Sequence, residues 1–323
     1  MAKSVNMKKI YIKEGSLMGK RFSTDPITVI PPAWKADYSF DKDSFVNAID
    51  LIKSYDKFAL YFGCTASEGH AFSREMLLDT AKLFADQMKG YSHHYFVGLI
   101  GLSLAEMIER VSALKAIGIK GFMFALPSWG VLRSPVESYD FVNRLCAAHR
   151  DCNFILYNTI RSTTRLLPPD LKVLEEKNPN LVAVKQGGHA YVDARYSAAL
   201  ETPLSMVEYY LDYAWTYANL YFDPSFMPST ISCSYRRTID FYEAGLRKDI
   251  ALCTEIDKEI QKADQLMAEL FPMDRIDGAY DKMWLKMSIP DYPLRLYPPY
   301  ECFSDELFEE YRDRMKQLLP HWF

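Results

Sequence analysis

Two side chains one repeat apart, Tyr157 and Lys185, are the pair in this sequence best suited to chemistry. Lys185 closes the stretch "NLVAVK", after four apolar residues, Leu181 to Val184, that read as a buried strand. Tyr157 stands near the end of the similar run "NFILYNT". A lysine at the end of a buried strand has two readings. In one it pairs with a carboxylate at a barrel mouth and Tyr157 is packing. In the other it is a nucleophile. A neutral amine attacks a ketone to form a Schiff base, which withdraws electrons from the neighbouring carbon. A free lysine has a pKa of about 10.4, so roughly one amine in 2,500 is neutral at pH 7. Lowering the pKa to ~7.5 needs a shift worth roughly 4 kcal/mol, which burial can supply. A phenol alongside is suited to move the proton between amine, carbinolamine and substrate.

The elements that must position this pair are legible as a repeat. Strand-like runs at 25–34, 58–64, 94–101, 121–128, 153–159 and 180–185 alternate with helical stretches. The runs are continuously apolar, as strands buried on both faces of a parallel sheet are. Tyr157 and Lys185 are separated by one βα unit, so adjacent strands of equal depth bring both to one mouth. Alternation along the strand puts Lys185, Ala183 and Leu181 inward, with Val184 and Val182 facing the helices. Ser103 with Glu106, and Ser134 with Pro135 and Glu137, are helix starts, and Gly118 is a stop. There is no GxGxxG after the first strand and no GxxxxGK[ST] loop, which argues against a dinucleotide or P-loop fold. The expectation is a (β/α)₈ TIM barrel with a C-terminal helical domain. Strands seven and eight are predicted within 203–213 and 229–234. The predicted division is an N-terminal arm over 1–24, a barrel over 25–240 and a helical appendage over 241–323.

Composition narrows the function. The formal net charge of −4 argues against a nucleic-acid or membrane-surface partner, which needs a basic face. Six scattered cysteines without CxxC spacing indicate neither a zinc site nor a disulfide framework. The N-terminal residues lack an apolar signal segment, and no apolar run nears the ~20 residues that span a bilayer. A cytoplasmic protein with reduced thiols is expected.

Reactive groups in such barrels sit at the C-terminal ends of strands. Here those ends read Gly63-Cys64-Thr65, Pro127-Ser128-Trp129-Gly130, Tyr157-Asn158 and Lys185. In order, "GCTASEGHAFSRE", "ILYN", "VAVK", "STIS" and "KMSIPDYPLRLYPP" make the chain resemble the dihydrodipicolinate synthase/N-acetylneuraminate lyase family of Schiff-base barrels. The resemblance implies a homo-oligomer, tetramer or dimer, of barrels. It implies a 2-oxo acid, often pyruvate, held as a covalent imine on Lys185 with no other cofactor and no metal. Tyr157 would be the proton shuttle. Cys64 and Thr65 would grip the substrate carboxylate, and Ile231 would lie beside the keto acid. The chain also departs from the family pattern. Ser128 and Trp129 stand where two aromatics are usual, one of them reaching a neighbouring subunit's site. Ser162, with Arg161 beside it, stands where dihydrodipicolinate synthases carry an arginine. Trp129 and Ser162 are thus candidates for the second substrate's surroundings.

The remaining candidates have plainer readings. His93-His94 precedes strand three and reads as a solvated pair. His70 and His189 fall in loops on the catalytic face. Asp212 lines the mouth or caps a helix. Tyr209-Tyr210 reads as packing or subunit interface. The expected activity is a class I lyase of the aldolase type. A 2-keto-3-deoxy sugar acid dehydratase using the same imine and a non-catalytic keto-acid-binding barrel are the alternatives.

Overall fold

The computed structural model describes residues 20–101, 103–162, 164–187 and 189–323. Most of the predicted N-terminal arm therefore lies outside the described residues. Eight parallel strands follow one another in chain order: β1 Ile27–Val29, β2 Ala59–Phe62, β3 Tyr95–Leu99, β4 Gly121–Ala125, β5 Asn153–Asn158, β6 Leu181–Gln186, β7 Val207–Leu211 and β8 Ser225–Met227. The first and last strands meet through side chains, with Thr28 Oγ1 donating to Pro228 O at 3.1 Å and Ser225 Oγ to Thr24 O at 2.8 Å. The result is a TIM barrel with C-terminal helices.

Helices α1 Lys42–Ser54, α2 Arg74–Gln87, α3 Leu104–Ala116, α4 Pro135–Ala148, α5 Pro168–Lys177, α6 Ala190–Ala198, α7 Asp212–Asn219 and α8 Tyr235–Leu246 alternate with the strands. The predicted starts hold. Ser103 Oγ accepts from Glu106 N–H, and Ser134 with Glu137 forms a complete capping box. α3 buries Met107, Val111 and Leu114 and ends before Gly118 at φ +97°.

Two strand details differ from the sequence expectation. Residues 229–234 are not strand eight; Thr230–Ser232 is a short 3₁₀ turn, and β8 lies just upstream. Polar Ser and Thr in that segment bond locally instead of extending, as Thr230 Oγ1 does by donating to Asp212. In β6 the inward alternation breaks near its start. Phe154 pairs with Leu181 but Ile155 pairs with Ala183, an irregularity that leaves one extra residue on β6. Leu181 consequently joins the core between strands and helices, while Val182 and Ala183 both join the interior core. The alternation then resumes, with Val184 in the outer core.

Three further helices, α9 Ile250–Leu270, α10 Asp277–Lys286 and α11 Asp305–Leu318, follow the barrel. They share a core of their own with α7 and α8, including Trp215, Phe241, Met283 and Tyr311. Among the described residues no helix is long and apolar enough to cross a membrane.

Candidate active site

Register brings Tyr157 and Lys185 together: they are direct partners across β5 and β6. Both are buried, at 8% and 6% exposure. Lys185 Nζ lies 4.1 Å from the Tyr157 ring centroid. A second ring, Tyr61 on β2, faces the same ammonium at 5.8 Å. Tyr61 belongs to the interior core with Ala59, Tyr157 and Ala183.

The electrostatics correct one expectation. Burial does oppose the charge on Lys185, and it is the largest single influence. It is outweighed by the electrostatic pull of the neighbouring Tyr157, Tyr61, Cys64 and Asp277, so the Lys185 pKa is raised, not lowered. The two aromatic faces also favour the ammonium. Burial pushes the Cys64 thiol up to about 12, so this cysteine is a poor nucleophile near neutrality.

The loop after β2 turns over the mouth because three glycines let backbones touch. Gly63 has φ +84°, a conformation that favours glycine. A Cβ on Gly69 would stand 1.7 Å from Gly63 O, and one on Gly98 of β3 would stand 2.2 Å from Gly63 C. This crossing holds Cys64 and Thr65, both buried, at the end of β2. The Cys64 N–H donates to Ser67 Oγ at 2.9 Å, and the Thr65 carbonyl accepts from Glu68 N–H at 3.1 Å.

Ile231 is fully buried in the 3₁₀ turn. Asp212 at the start of α7 fastens that turn, accepting from Ser229 N–H and Thr230 Oγ1, each at 2.7 Å. Burial pushes the Asp212 carboxyl up to about 6. Ser162 is buried and donates its hydroxyl to Leu126 O at 2.7 Å. Arg161 beside it pairs with Asp277 of α10 at 2.6 Å. Trp129 is 80% exposed. His70 packs edge-on to Tyr300 with ring centroids 4.5 Å apart, and burial lowers its pKa. His93 is not merely solvated, since Asp25 holds its Nδ1 at 3.0 Å. His189 caps α6.

Sequence reasoning missed Tyr61, Asp277, Asp281 and the Glu68–Lys282 pair. For Tyr61 a signal existed, because alternation along β2 puts Ala59 and Tyr61 on one face. Nothing comparable marked α10, whose position depends on tertiary packing. Glu68 sits at φ +50° after Ser67, fully buried, with Lys282 Nζ 2.5 Å from its Oε1. Asp281 is partly buried, and burial followed by the charge of Asp277 pushes it up to about 8, with Lys185 opposing.

The arrangement sets a buried amine against a phenol ring beside a glycine-shaped loop. The fold matches known structures. The pyruvate complex of YagE from E. coli K12, a prophage protein belonging to the dihydrodipicolinic acid synthase family, superposes with a TM-score of 0.78 at 15% identity, covering 91% of this chain and 98% of that one. N-acetylneuraminate lyase from Proteus mirabilis gives 0.77 at 15% identity, with 91% and 98% coverage. Dihydrodipicolinate synthase from Aquifex aeolicus gives 0.77 at 15% identity, with 91% and 97% coverage. Comparison with curated protein sequences finds no match. The Dihydrodipicolinate synthetase family model matches residues 27–200, more than half of the chain, and the protein belongs to that family.

Proposed function

We propose that this protein is a Schiff-base lyase of the aldolase type, acting on a 2-oxo acid such as pyruvate with an aldehyde or sugar-acid partner. The observation that carries the reading is the direct pairing of Tyr157 with Lys185, both buried, with the amine 4.1 Å from the phenol ring centroid. In this reading the deprotonated Nζ adds to the carbonyl carbon of the keto acid. Tyr157 moves the proton to the carbinolamine oxygen, water leaves, and an iminium remains on Lys185. The iminium accepts the electron pair when the bond next to the C3 carbon breaks. Thr65 and Cys64 hold the acid's carboxylate end, and Ile231 packs beside it. The imine needs no other cofactor. The pyruvate bound in YagE supports the substrate class.

Exposed Tyr191, Tyr213 and Tyr221, linked through Tyr217 by ring contacts along α6 and α7, form an aromatic face that supports a homo-oligomer. Borohydride reduction with a panel of 2-oxo acids, followed by peptide mass spectrometry, tests the reading. An adduct is expected on the peptide containing Lys185, and none in Lys185→Ala. Folded wild-type protein that gives no adduct with any acid favours a non-catalytic keto-acid-binding barrel. Pyruvate release measured against water loss separates the aldolase from the dehydratase.

A further inference from the structure

Tyr61 stands beside the amine yet has no task in the imine chemistry above. With eight strands in chain order, β2 and β6 are opposite walls of the barrel, whereas β5 and β6 are neighbours. The Lys185 ammonium therefore meets one ring from the adjoining strand and one from the far wall. Its Nζ lies 4.1 Å from the Tyr157 ring centroid and 5.8 Å from that of Tyr61. Both distances fall within the roughly 6 Å over which a ring face attracts a cation.

Packing fixes both rings. Tyr61 is 2% exposed, and its register partners Val29 on β1 and Phe96 on β3 share the interior core with it. The edge of Tyr157 lies against the chain just after β6, where a Cβ on Gly187 would stand 3.0 Å from its Cε2. Burial keeps the Tyr61 phenol protonated well above neutral pH. The amine thus meets an uncharged ring, whose face carries the negative side of the quadrupole.

We propose that Tyr61 is a further catalytic residue whose ring, not its hydroxyl, holds positive charge on the Lys185 nitrogen, closing with Tyr157 a two-sided aromatic clamp. The proposal rests on the imine reading above. The nitrogen changes charge along that reaction. It is positive as the resting ammonium and neutral as the amine that adds to the carbonyl carbon. It stays neutral in the carbinolamine and is positive again once water has left and the iminium has formed. When a base takes a C3 proton, or the bond from C3 to C4 breaks, the electron pair forms C2=C3. The C=N π pair then moves onto nitrogen, which becomes a neutral enamine. A face that attracts cations stabilises the ammonium and the iminium, and does little for the amine or the enamine. The clamp therefore keeps the resting lysine protonated and favours the bond-forming direction, in which a neutral enamine becomes an iminium.

The test keeps the shape of the ring and changes its face. Tyr61→Phe removes the hydroxyl and keeps the negative face, whereas Tyr61→pentafluorophenylalanine reverses the face at nearly the same volume. Cys64, Asp277 and Asp281, which also bear on Lys185 electrostatically, are the same in all three proteins. The neutral fraction of Lys185 is read without keto acid, as its rate of acetylation by acetic anhydride at about pH 8. Peptide mass spectrometry follows the label, with the exposed Lys89 as the internal standard. The fluorinated protein is expected to label Lys185 about three- to tenfold faster than wild type, and Tyr61→Phe to stay within about twofold. Exchange of pyruvate methyl protons into D₂O, per imine trapped by borohydride, is expected to rise about threefold in the fluorinated protein. Labelling of the fluorinated protein at or below the wild-type rate overturns the proposal, as does an equal rise in Tyr61→Phe. Exchange per imine that fluorination leaves unchanged overturns the iminium half. A wild type that labels at Lys185 yet traps no imine with any 2-oxo acid overturns the imine reading, and the iminium half falls with it.

Discussion

The ion pair between Glu68 and Lys282 offers the sharpest stability prediction, because both side chains are fully buried. Glu68 Oε2 also accepts from Trp34 Nε1 at 3.1 Å and Tyr297 N–H at 2.8 Å, while Lys282 Nζ donates to Arg295 O at 2.5 Å. Glu68→Gln keeps the volume but removes the charge. The amide oxygen can retain Trp34 and Tyr297, so its NH₂ is turned toward the ammonium. Removing one partner of a buried pair costs roughly 3–5 kcal/mol, because the other charge is stranded. Burial already holds the Lys282 pKa down against the pull of Glu68, so the stranded lysine can release its proton. The cost of Glu68→Gln therefore falls at the low end, about 3 kcal/mol. Lys282→Met strands a carboxylate that keeps two neutral donors, and a similar loss is expected. The double variant strands nothing, so its cost should undercut the sum of the singles by about 2 kcal/mol. Urea unfolding followed by tryptophan fluorescence measures all three, with Trp34 reporting from beside Glu68. Single variants costing under about 1 kcal/mol, or a double variant that is simply additive, would refute the argument.

Two other outcomes follow from the same geometry. Gly69→Ala drives a Cβ to 1.7 Å from Gly63 O, a backbone clash that no rotamer relieves, and should cost about 3 kcal/mol or more by thermal or urea unfolding. Gly101→Ala meets the flexible Met107 side chain at 3.1 Å and backbone only at 4.0 Å, at Ser103 O, and should cost under about 1 kcal/mol; equal losses at the two sites would contradict the close-approach reading. Because the Lys185 pKa is raised, the amine stays charged through neutral pH, and only its deprotonated fraction attacks. The borohydride trapping rate should climb about tenfold per pH unit between roughly pH 6 and 9, whereas a plateau near pH 7 would mean that burial had won after all.

Much of the barrel was readable from the chain, and the reasons are local. Apolar runs of strand length, the Ser103 and Ser134 caps and the Gly118 stop report their own structure. The Tyr157–Lys185 interval works because two adjacent strands of similar depth convert sequence distance into proximity. Where reading failed, a non-local term decided. Leu181 turns outward because β6 carries an extra residue against β5, and no pattern in "NLVAVK" announces that irregularity. Residues 229–234 look β-prone until Asp212 is known to hold them in a turn. The Lys185 shift draws on Tyr157 first and then on Tyr61, which arrives from the opposite side of the barrel. The seating of α10 was invisible for the same reason, since it is set by pairs with Glu68 and Arg161 far away in the chain.

That strapping changes how the C-terminal helices should be regarded. Their apolar core, around Met283, Phe308 and Tyr311, is separate from the barrel interior that holds Tyr61 and Tyr157. Apolar packing alone would make them a passive cap. The links to the barrel mouth are polar and run through two loops, Glu68 with Lys282 after β2 and Arg161 with Asp277 after β5. The segment from Gly63 to Gly69 holds the buried Cys64 and Thr65 at the end of β2 and anchors α10 through Glu68. A polar link of fixed geometry transmits position where a greasy contact would slide. Substitutions confined to the exposed faces of α9 and α11 should leave trapping at Lys185 untouched. Substitutions at Glu68 or Lys282 should disturb the loop that carries Cys64 and Thr65 and the seating of α10 at once, because one buried ion pair joins them.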